Sequence, residues 1–518
     1  MSAFSENLSF EGQTIAGLFF KSVDENPKKK AIYCDGKEMD YTEFCDFVCR
    51  YANYLTSHGV EYGDIIGIPM TNSIESVALI MAAALIGVGL TPINPTLPVY
   101  DIDKSFRAGN VRHLIARKAF FKGIEGKGLD YITGCKLCLD GEAEGADPFS
   151  AVYEASPERP DYSKITGDET YILTMTSGST GAPKPIELTQ NNKLIRSEVH
   201  IKVYDITPDD NILTASPLYH SLAERLVLIP FLIGAKATVL PRFTPRKWIE
   251  CVKEQKATFA IPVSAQITQI VQEMTDEDSR EITSLRSIVS TSALLELKVK
   301  EQILEKLHCD VNEMYGTSEC STVTSVNFRE SMVKLQSVGK ALPGAVIKII
   351  DEKGNEVPRG TVGDVVVKTN LIFKGYYGMP EKTAEATTAD GFFKTGDLGS
   401  MDEDGYLYFK GRKKELIITG GANVYPQDIE NKLRQIPEIW ECAAFPYPDD
   451  KLGEVVAIAI SVKDGMELTK KDVKRFCARN LADFQQPHKI FFLPELPKNS
   501  LGKLTKMALP KAVEGMEG

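Results

Sequence analysis

The chain has 518 residues, 43% of them hydrophobic and 25% charged, with a formal net charge of −11. That length exceeds what one hydrophobic core supports and predicts two or more domains, while the ordinary composition excludes a largely disordered chain. The acidic balance, without any dense Lys/Arg run, excludes a nucleic-acid scaffold, because neutralising phosphates needs a concentrated basic surface.

In chain order, residues 1–13 are polar and lack the basic flank and apolar stretch of a signal peptide. The ten cysteines are scattered, which predicts free thiols in a reducing compartment and a cytoplasmic location. Residues 64–70 read as a strand and 73–86 as an apolar helix. The apolar run 77–90 is shorter than the ~20 residues of a bilayer-spanning helix, so a buried core helix is expected and no membrane span. Cys135 and Cys138 form a C-x-x-C without a second pair, which predicts neither a metal nor a redox site. Strand-like and helical patterns alternate through the first 400 residues and favour α/β architecture. From 345 to 410 short β-prone pieces at 346–350, 362–368 and 406–409 predict a β-rich subdomain. The segment 411–417 then leads into a last α+β stretch of ~100 residues, the size of a compact domain.

The segment TMTSGSTGAPKPIE at 174–187 packs Thr176, Ser177, Ser179 and Thr180 with Gly178 and Gly181 ahead of Lys184. Glycines let a backbone approach an anion and offer it N–H groups, hydroxyls add neutral donors, and one lysine supplies counter-charge. It is not a Walker A loop, whose spacing is absent. On composition alone a phosphate-gripping loop and a Ser/Thr/Gly-rich surface loop are equally good readings.

TSGSTGAPK resembles the phosphate-loop signature of the ANL superfamily of adenylate-forming enzymes, and further blocks of that family's appearance follow in order. They are PLYH at 217–220, YGTSE at 315–319, TGD at 395–397, GRKKELIITGGANVYP from Gly411, and PKNSLGK at 497–503. The resemblance runs from about Tyr41 to Lys503. It implies an N-terminal AMP-binding domain over 1–411 and a mobile C-terminal domain over 412–518, hinged near Lys414. It implies ATP, Mg²⁺ and coenzyme A as cofactor and co-substrates.

The roles the resemblance carries over are specific. Thr176, Ser177, Gly178, Ser179, Thr180, Gly181, Ala182, Pro183 and Lys184 grip the nucleotide phosphates. Ser292, Ala293, Glu313, Met314, Tyr315, Gly316, Thr317 and Ser318 line the nucleotide site, with Tyr315 against adenine. Thr180 and Glu319 hold Mg²⁺, Asp397 and Arg412 bind the ribose hydroxyls, and His220 gates the acyl pocket. Lys503 is the main catalytic residue, bridging the acid's carboxylate and the α-phosphate, which offsets the repulsion between two anions. Gly420 and Gly421 wall a tunnel for a pantetheine arm. The chain departs from the family pattern in SIVSTSALLE, where Thr291, Ser292 and Leu294 replace smaller residues or proline, and at Ala422 in place of a common Glu.

The resemblance therefore implies an ATP-dependent carboxylic acid:CoA ligase acting on a small to medium aliphatic or aryl acid. The alternatives are a free-standing adenylation enzyme loading a carrier protein and a non-catalytic nucleotide-binding protein, with a homodimer left open. Ser221 stands where amino-acid-activating relatives carry Asp, which disfavours an α-amino acid, since a buried ammonium needs a carboxylate partner. Met314 is expected to shorten the acyl pocket, and Arg225 to pair with Glu224 or solvent.

Overall fold

The computed structural model describes residues 2–177, 183–419, 422–449, 451–498 and 504–517, and the chain divides into two units. The first takes in 1–335, 342–345 and 368–387, the second 336–341, 346–367 and 388–518.

Two sheets organise the first unit. One runs in the order Gly375–Tyr376, Pro183–Thr189, Thr170–Ser177, Gly89–Ile93, Ile65–Pro69, His113–Ala116, Lys136–Cys138, Asp147–Pro148. Its strands are parallel except at the Gly375–Tyr376 end, where Pro183–Thr189 and Gly375–Tyr376 each join antiparallel. The other runs Ser321–Asn327, Asp310–Thr317, Ser287–Ser290, Phe259–Ala260, Asn211–Thr214, Lys236–Val239, Lys30–Cys34, Lys37–Asp40. Its parallel centre is flanked by an antiparallel pair at either end.

The strand expected at 64–70 is Ile65–Pro69, buried at every position, as a parallel strand covered on both faces should be. The expected apolar helix is Ile74–Ile86, capped by the Ser73 side chain at its start and by left-handed Gly87 at its end. Every residue in it except Glu75 is buried. A helix apolar all round has no solvent face and belongs in an interior. Neighbouring side chains tie down its backbone, Tyr171 Oη donating to the Ile80 carbonyl (2.8 Å) and Gln190 Nε2 to that of Ala84 (3.0 Å). Among the described residues no helix is long and apolar enough to cross a membrane. All ten cysteines are free and buried.

In the second unit the β-rich stretch forms a sheet of Ala345–Ile350, Gly363–Thr369, Phe393–Met401 and Leu407–Arg412. The α+β layer that follows has Ala422–Val424, Ile417–Thr419, Gly453–Val462 and Ile439–Asp449 in order, with Lys489–Phe492 alongside Gly453–Val462. Successive side chains of a strand point to opposite faces, and Gly453–Val462 is buried on both. Val456, Ile458 and Ile460 join Ile429, Leu433, Val473 and Cys477 from the helices Pro426–Leu433 and Lys470–Asn480. Ala457 and Ala459 join Phe491, Leu509 and Val513 on the other face. The chain is thus mixed α/β, with a large N-terminal part and a small α+β C-terminal part. Residues 411 and 412, where a domain boundary was expected, lie inside the second unit at the end of Leu407–Arg412, just ahead of the 3₁₀ turn Lys413–Glu415.

Candidate active site

Thr170–Ser177 and Pro183–Thr189 form an antiparallel hairpin whose register sets Thr176 opposite Lys184 and Ser177 opposite Pro183. The hairpin holds the two ends of the phosphate-loop signature together. Gly178, Ser179, Thr180, Gly181 and Ala182 lie outside the described residues, as do Gly420, Gly421 and Lys503. The stems of the latter loops are pinned, by the pair Thr419–Ala422 and by the bridge Lys498–Leu504.

Gly375–Tyr376 pairs with Glu187 and Ile186 on the same hairpin, which brings Tyr376 beside Lys184. The Lys184 ammonium lies 5.5 Å from the centre of the Tyr376 ring, and Tyr376 Oη donates to Glu319 Oε1 at 3.0 Å. Burial, then the Glu319 carboxylate, push the Tyr376 phenol well above its usual range, so it stays a neutral donor. A cation, a phenol and a carboxylate thus meet beside the hairpin of Thr170–Ser177 and Pro183–Thr189.

The Glu319 turn is fixed from beneath by Arg196, fully buried on the helix Gln190–Val203. Its Nε donates to the Leu371 carbonyl (2.8 Å), Nη1 to Ser318 (3.1 Å) and Nη2 to Glu319 (2.6 Å). The Glu319 carbonyl also accepts from Phe373 N–H at 2.7 Å. One guanidinium therefore clamps the turn to the segment that carries Tyr376. Burial lowers the Arg196 pKa to about 10, which leaves it charged at neutral pH. Gly316 is required at the start of this turn, because a Cβ there would collide with the Ser321 carbonyl.

Along Asp310–Thr317 side chains alternate between faces. Glu313 is buried, its carboxylate accepting from Lys300 Nζ (2.6 Å) and Leu295 N–H (2.8 Å), so its side chain is committed to the core and only its backbone is left for a ligand. Met314 is buried too, its sulfur accepting from Thr322 Oγ1 at 3.1 Å. Tyr315 is 8% exposed. Thr317 and Ser318 belong to the turn, Thr317 Oγ1 accepting from Cys320 N–H at 3.4 Å. Ser292 and Ala293 are exposed beyond the end of Ser287–Ser290, and Ser292 has φ +73°, a left-handed backbone that a glycine adopts at less cost.

His220 is the N-cap residue of the helix Ser221–Ile233, its ring 4.5 Å from that of Tyr219. Its Nε2 is buried with no partner among the described residues, and burial lowers its pKa to about 4. The ring is neutral near pH 7. Ser221 is engaged by a buried ion pair, Lys193 Nζ donating to its carbonyl (3.2 Å) and to Glu224 Oε2 (2.7 Å). Among the described residues no ion pair or hydrogen bond joins Arg225 to Glu224: Lys193 holds Glu224 Oε2, Arg225 is only 3% exposed, and the Glu224 charge acts on it at longer range. In the second unit Asp397 and Arg412 face each other across Phe393–Met401 and Leu407–Arg412, with Arg412 Nε 2.8 Å from Asp397 Oδ1. Thr395 Oγ1 accepts from Asp397 N–H at 3.1 Å, which fixes the turn.

Lys184 and Glu319 fall within motifs visible in the sequence, whereas Arg196 and Tyr376 lie outside them. Arg196 had a signal, since Lys193, Arg196, Ser197 and His200 follow the i, i+3, i+4, i+7 spacing that normally marks a core-facing stripe. Tyr376 had none, because its role depends on a pairing between strands nearly 200 residues apart.

A family model for AMP-binding enzymes matches residues 19–377, and one for the AMP-binding enzyme C-terminal domain matches residues 428–503. Indoleacetate–CoA ligase of Aromatoleum aromaticum is 28% identical over 486 residues, 93% of this chain and 94% of its own. The ATP-bound structure of MatB from Rhodopseudomonas palustris superposes with a TM-score of 0.86 at 29% identity, covering 97% of this chain and 99% of that one. The o-succinylbenzoate CoA synthetase MenE of Bacillus subtilis, in complex with its acyl-adenylate, gives 0.85 at 25% identity, covering 97% and 98%. The chain therefore belongs to the AMP-binding enzyme family, within the adenylate-forming superfamily, and is an AMP-forming ligase.

Proposed function

We propose that this enzyme is an ATP-dependent carboxylic acid:CoA ligase acting on a small to medium acid. The observation that carries the reading is the cluster of Lys184, Tyr376 and Glu319 beside the phosphate-loop hairpin. Relatives of near-full length named as CoA ligases support the choice of acceptor.

In the first half-reaction a carboxylate oxygen of the acid attacks the α-phosphorus of ATP and pyrophosphate leaves. Lys184 places positive charge at the phosphates, and Lys503 bridges the two anions, stabilising charge where it develops. Glu319 supplies one carboxylate oxygen, which with Thr180 suits Mg²⁺, a cation that takes few protein carboxylates and fills its shell with phosphate oxygens and water. When bound, the ion neutralises phosphate charge. Tyr376 orients the Glu319 carboxylate, and Asp397 with Arg412 holds the ribose. In the second half-reaction the coenzyme A thiolate attacks the acyl carbonyl and AMP leaves, the thiol passing the Gly420–Gly421 loop as the C-terminal domain, 412–518, turns near Lys414. Neutral His220 positions the acyl group and takes no proton.

The test is acid-dependent pyrophosphate release over a panel of aliphatic, aryl, amino and dicarboxylic acids, with and without coenzyme A. Release that yields a CoA thioester is the expected result. Transfer only to a phosphopantetheinylated carrier protein would replace the acceptor, and ATP binding without any release would overturn the reading.

A further inference from the structure

Asn72 lies between the strand Ile65–Pro69 and the helix Ile74–Ile86, in one sheet layer of the first unit, yet its side chain serves the other sheet. Its Nδ2 donates to the carbonyls of Ser216 and Leu240, each at 3.0 Å, and its Oδ1 accepts from Leu218 N–H at 2.9 Å. All three contacts are buried, and Asn72 is 8% exposed. The partners fix which way the amide points, since a carbonyl only accepts and an N–H only donates. Ser216 and Leu240 lie just past the paired parallel strands Asn211–Thr214 and Lys236–Val239, where the ladder no longer satisfies the backbone. One amide supplies what the ladder stops supplying. Aspartate there would set a carboxylate oxygen against two carbonyls, and alanine would leave three buried backbone groups without partners.

The same stretch is fastened a second time. Ser216 Oγ donates to Gln266 Oε1 at 3.2 Å, and that oxygen also accepts from Val263 N–H at 3.1 Å. Val263 bridges to Thr291, whose carbonyl accepts from Ser264 N–H at 3.1 Å. Beyond these ties, His220 N–H donates to the Pro217 carbonyl at 3.1 Å, a turn that makes His220 the N-cap of Ser221–Ile233. His220 Nε2 has no partner among the described residues, so the ring takes its place from its backbone and from the Tyr219 ring 4.5 Å away. The backbone that carries His220 is therefore set from a different sheet, through Asn72.

We propose that Asn72 is a positioning residue for acid recognition: by tying Ser216 and Leu218 to Leu240, it fixes the angle at which His220 meets the acyl group, with Gln266 as the second tie. The inference rests on the reading of His220 as the residue that positions the acyl group.

The test is a double-mutant cycle on the full chain, read as KM for the acid and KM for ATP in pyrophosphate release with the acid turned over fastest. Asn72→Ala should raise the acid KM about tenfold and leave that for ATP within about twofold, since the Gln266 tie to Val263 survives. His220→Ala should also raise the acid KM, and adding Asn72→Ala to it should change the value by less than about twofold, because no imidazole is left to place. Effects that multiply in full in folded proteins would make Asn72 plain scaffold and overturn the inference, as would an unchanged acid KM in Asn72→Ala. Where Asn72→Ala fails to fold, Ser216→Ala removes one hydroxyl and keeps every Asn72 bond, and it should raise the acid KM about threefold, an effect absent from the His220→Ala background. No effect of Ser216→Ala, or one that persists in that background, overturns the inference too. An acid KM unmoved by His220→Ala sinks the reading of His220 and the inference with it, whereas absence of release with every acid sinks the ligase reading.

Discussion

His220 has the composition of a general base and the environment of something else. Burial lowers its pKa to about 4, so it carries no proton to exchange over the range in which a ligase works. The pH profile of acyl-AMP formation should show no inflection between about pH 5.5 and 7.5 that disappears in His220→Gln, since no ionisation of this ring falls there. An inflection near 6.5 lost with the histidine would restore it as a base. Ser292 makes a different kind of residue-scale case. It holds φ +73° in an exposed loop. A left-handed backbone costs an ordinary residue about 1–2 kcal/mol, and glycine adds back unfolded-state entropy of about 0.5–1 kcal/mol, so Ser292→Gly should raise stability by less than about 1 kcal/mol. Urea unfolding of the two proteins decides it.

At the scale of elements, the clamp formed by Gln190–Val203 makes Arg196 a positioning residue for Glu319. Arg196→Lys keeps the charge but cannot reach Leu371, Ser318 and Glu319 together. The Mg²⁺ concentration for half-maximal pyrophosphate release should rise by about tenfold or more, with a parallel loss in Mn²⁺–ATP binding followed by electron paramagnetic resonance. A variant with normal metal dependence and lowered stability would reduce Arg196 to scaffold. The loops around Lys503 and Gly421 belong to separate hairpin stems, and their variants should separate the half-reactions. Lys503→Ala should cost at least about 10²–10³ in acyl-AMP formation while sparing transfer from supplied acyl-AMP, the size of losing one transition-state donor. Gly421→Leu should do the reverse, and equal loss of both steps in either variant would count against the division. Much of this was legible in the sequence. Ile74–Ile86 and Ile65–Pro69 declare themselves by apolar runs with Ser and Gly at the ends, and the motif residues by their order along the chain. The partners of Arg196, Tyr376 and Arg225 were not legible, because each is set by tertiary pairing. Local reasoning gave Arg225 the carboxylate next to it, yet adjacent helical residues point about 100° apart and Lys193 on another helix reaches Glu224 instead.

For the whole molecule, pH acts through groups in both acid and base form. Asp278 is held well below the usual carboxylate range, chiefly by the fork of Arg246 (2.7 and 2.9 Å). Its contribution is present above the unfolded value near pH 4 and is lost as pH falls below that. His200 and His220 are bases whose folded values are lowered, so the unfolded chain takes up protons first and stability declines as pH falls below about 6.5. Unfolding free energy should therefore fall in two stages on acidification, His200→Gln flattening the upper one and Asp278→Asn the lower. A single transition unaffected by either change would be inconsistent with these assignments. The strand Gly453–Val462, clad on both faces, has a further consequence. Both clusters around it draw only on residues from Ile417 to Val513, so the C-terminal layer owns the apolar interior it needs. A fragment of residues 413–518 should melt cooperatively and give dispersed amide resonances by itself, which would make this layer a transplantable cassette whose exchange between relatives retunes turnover without disturbing acid recognition.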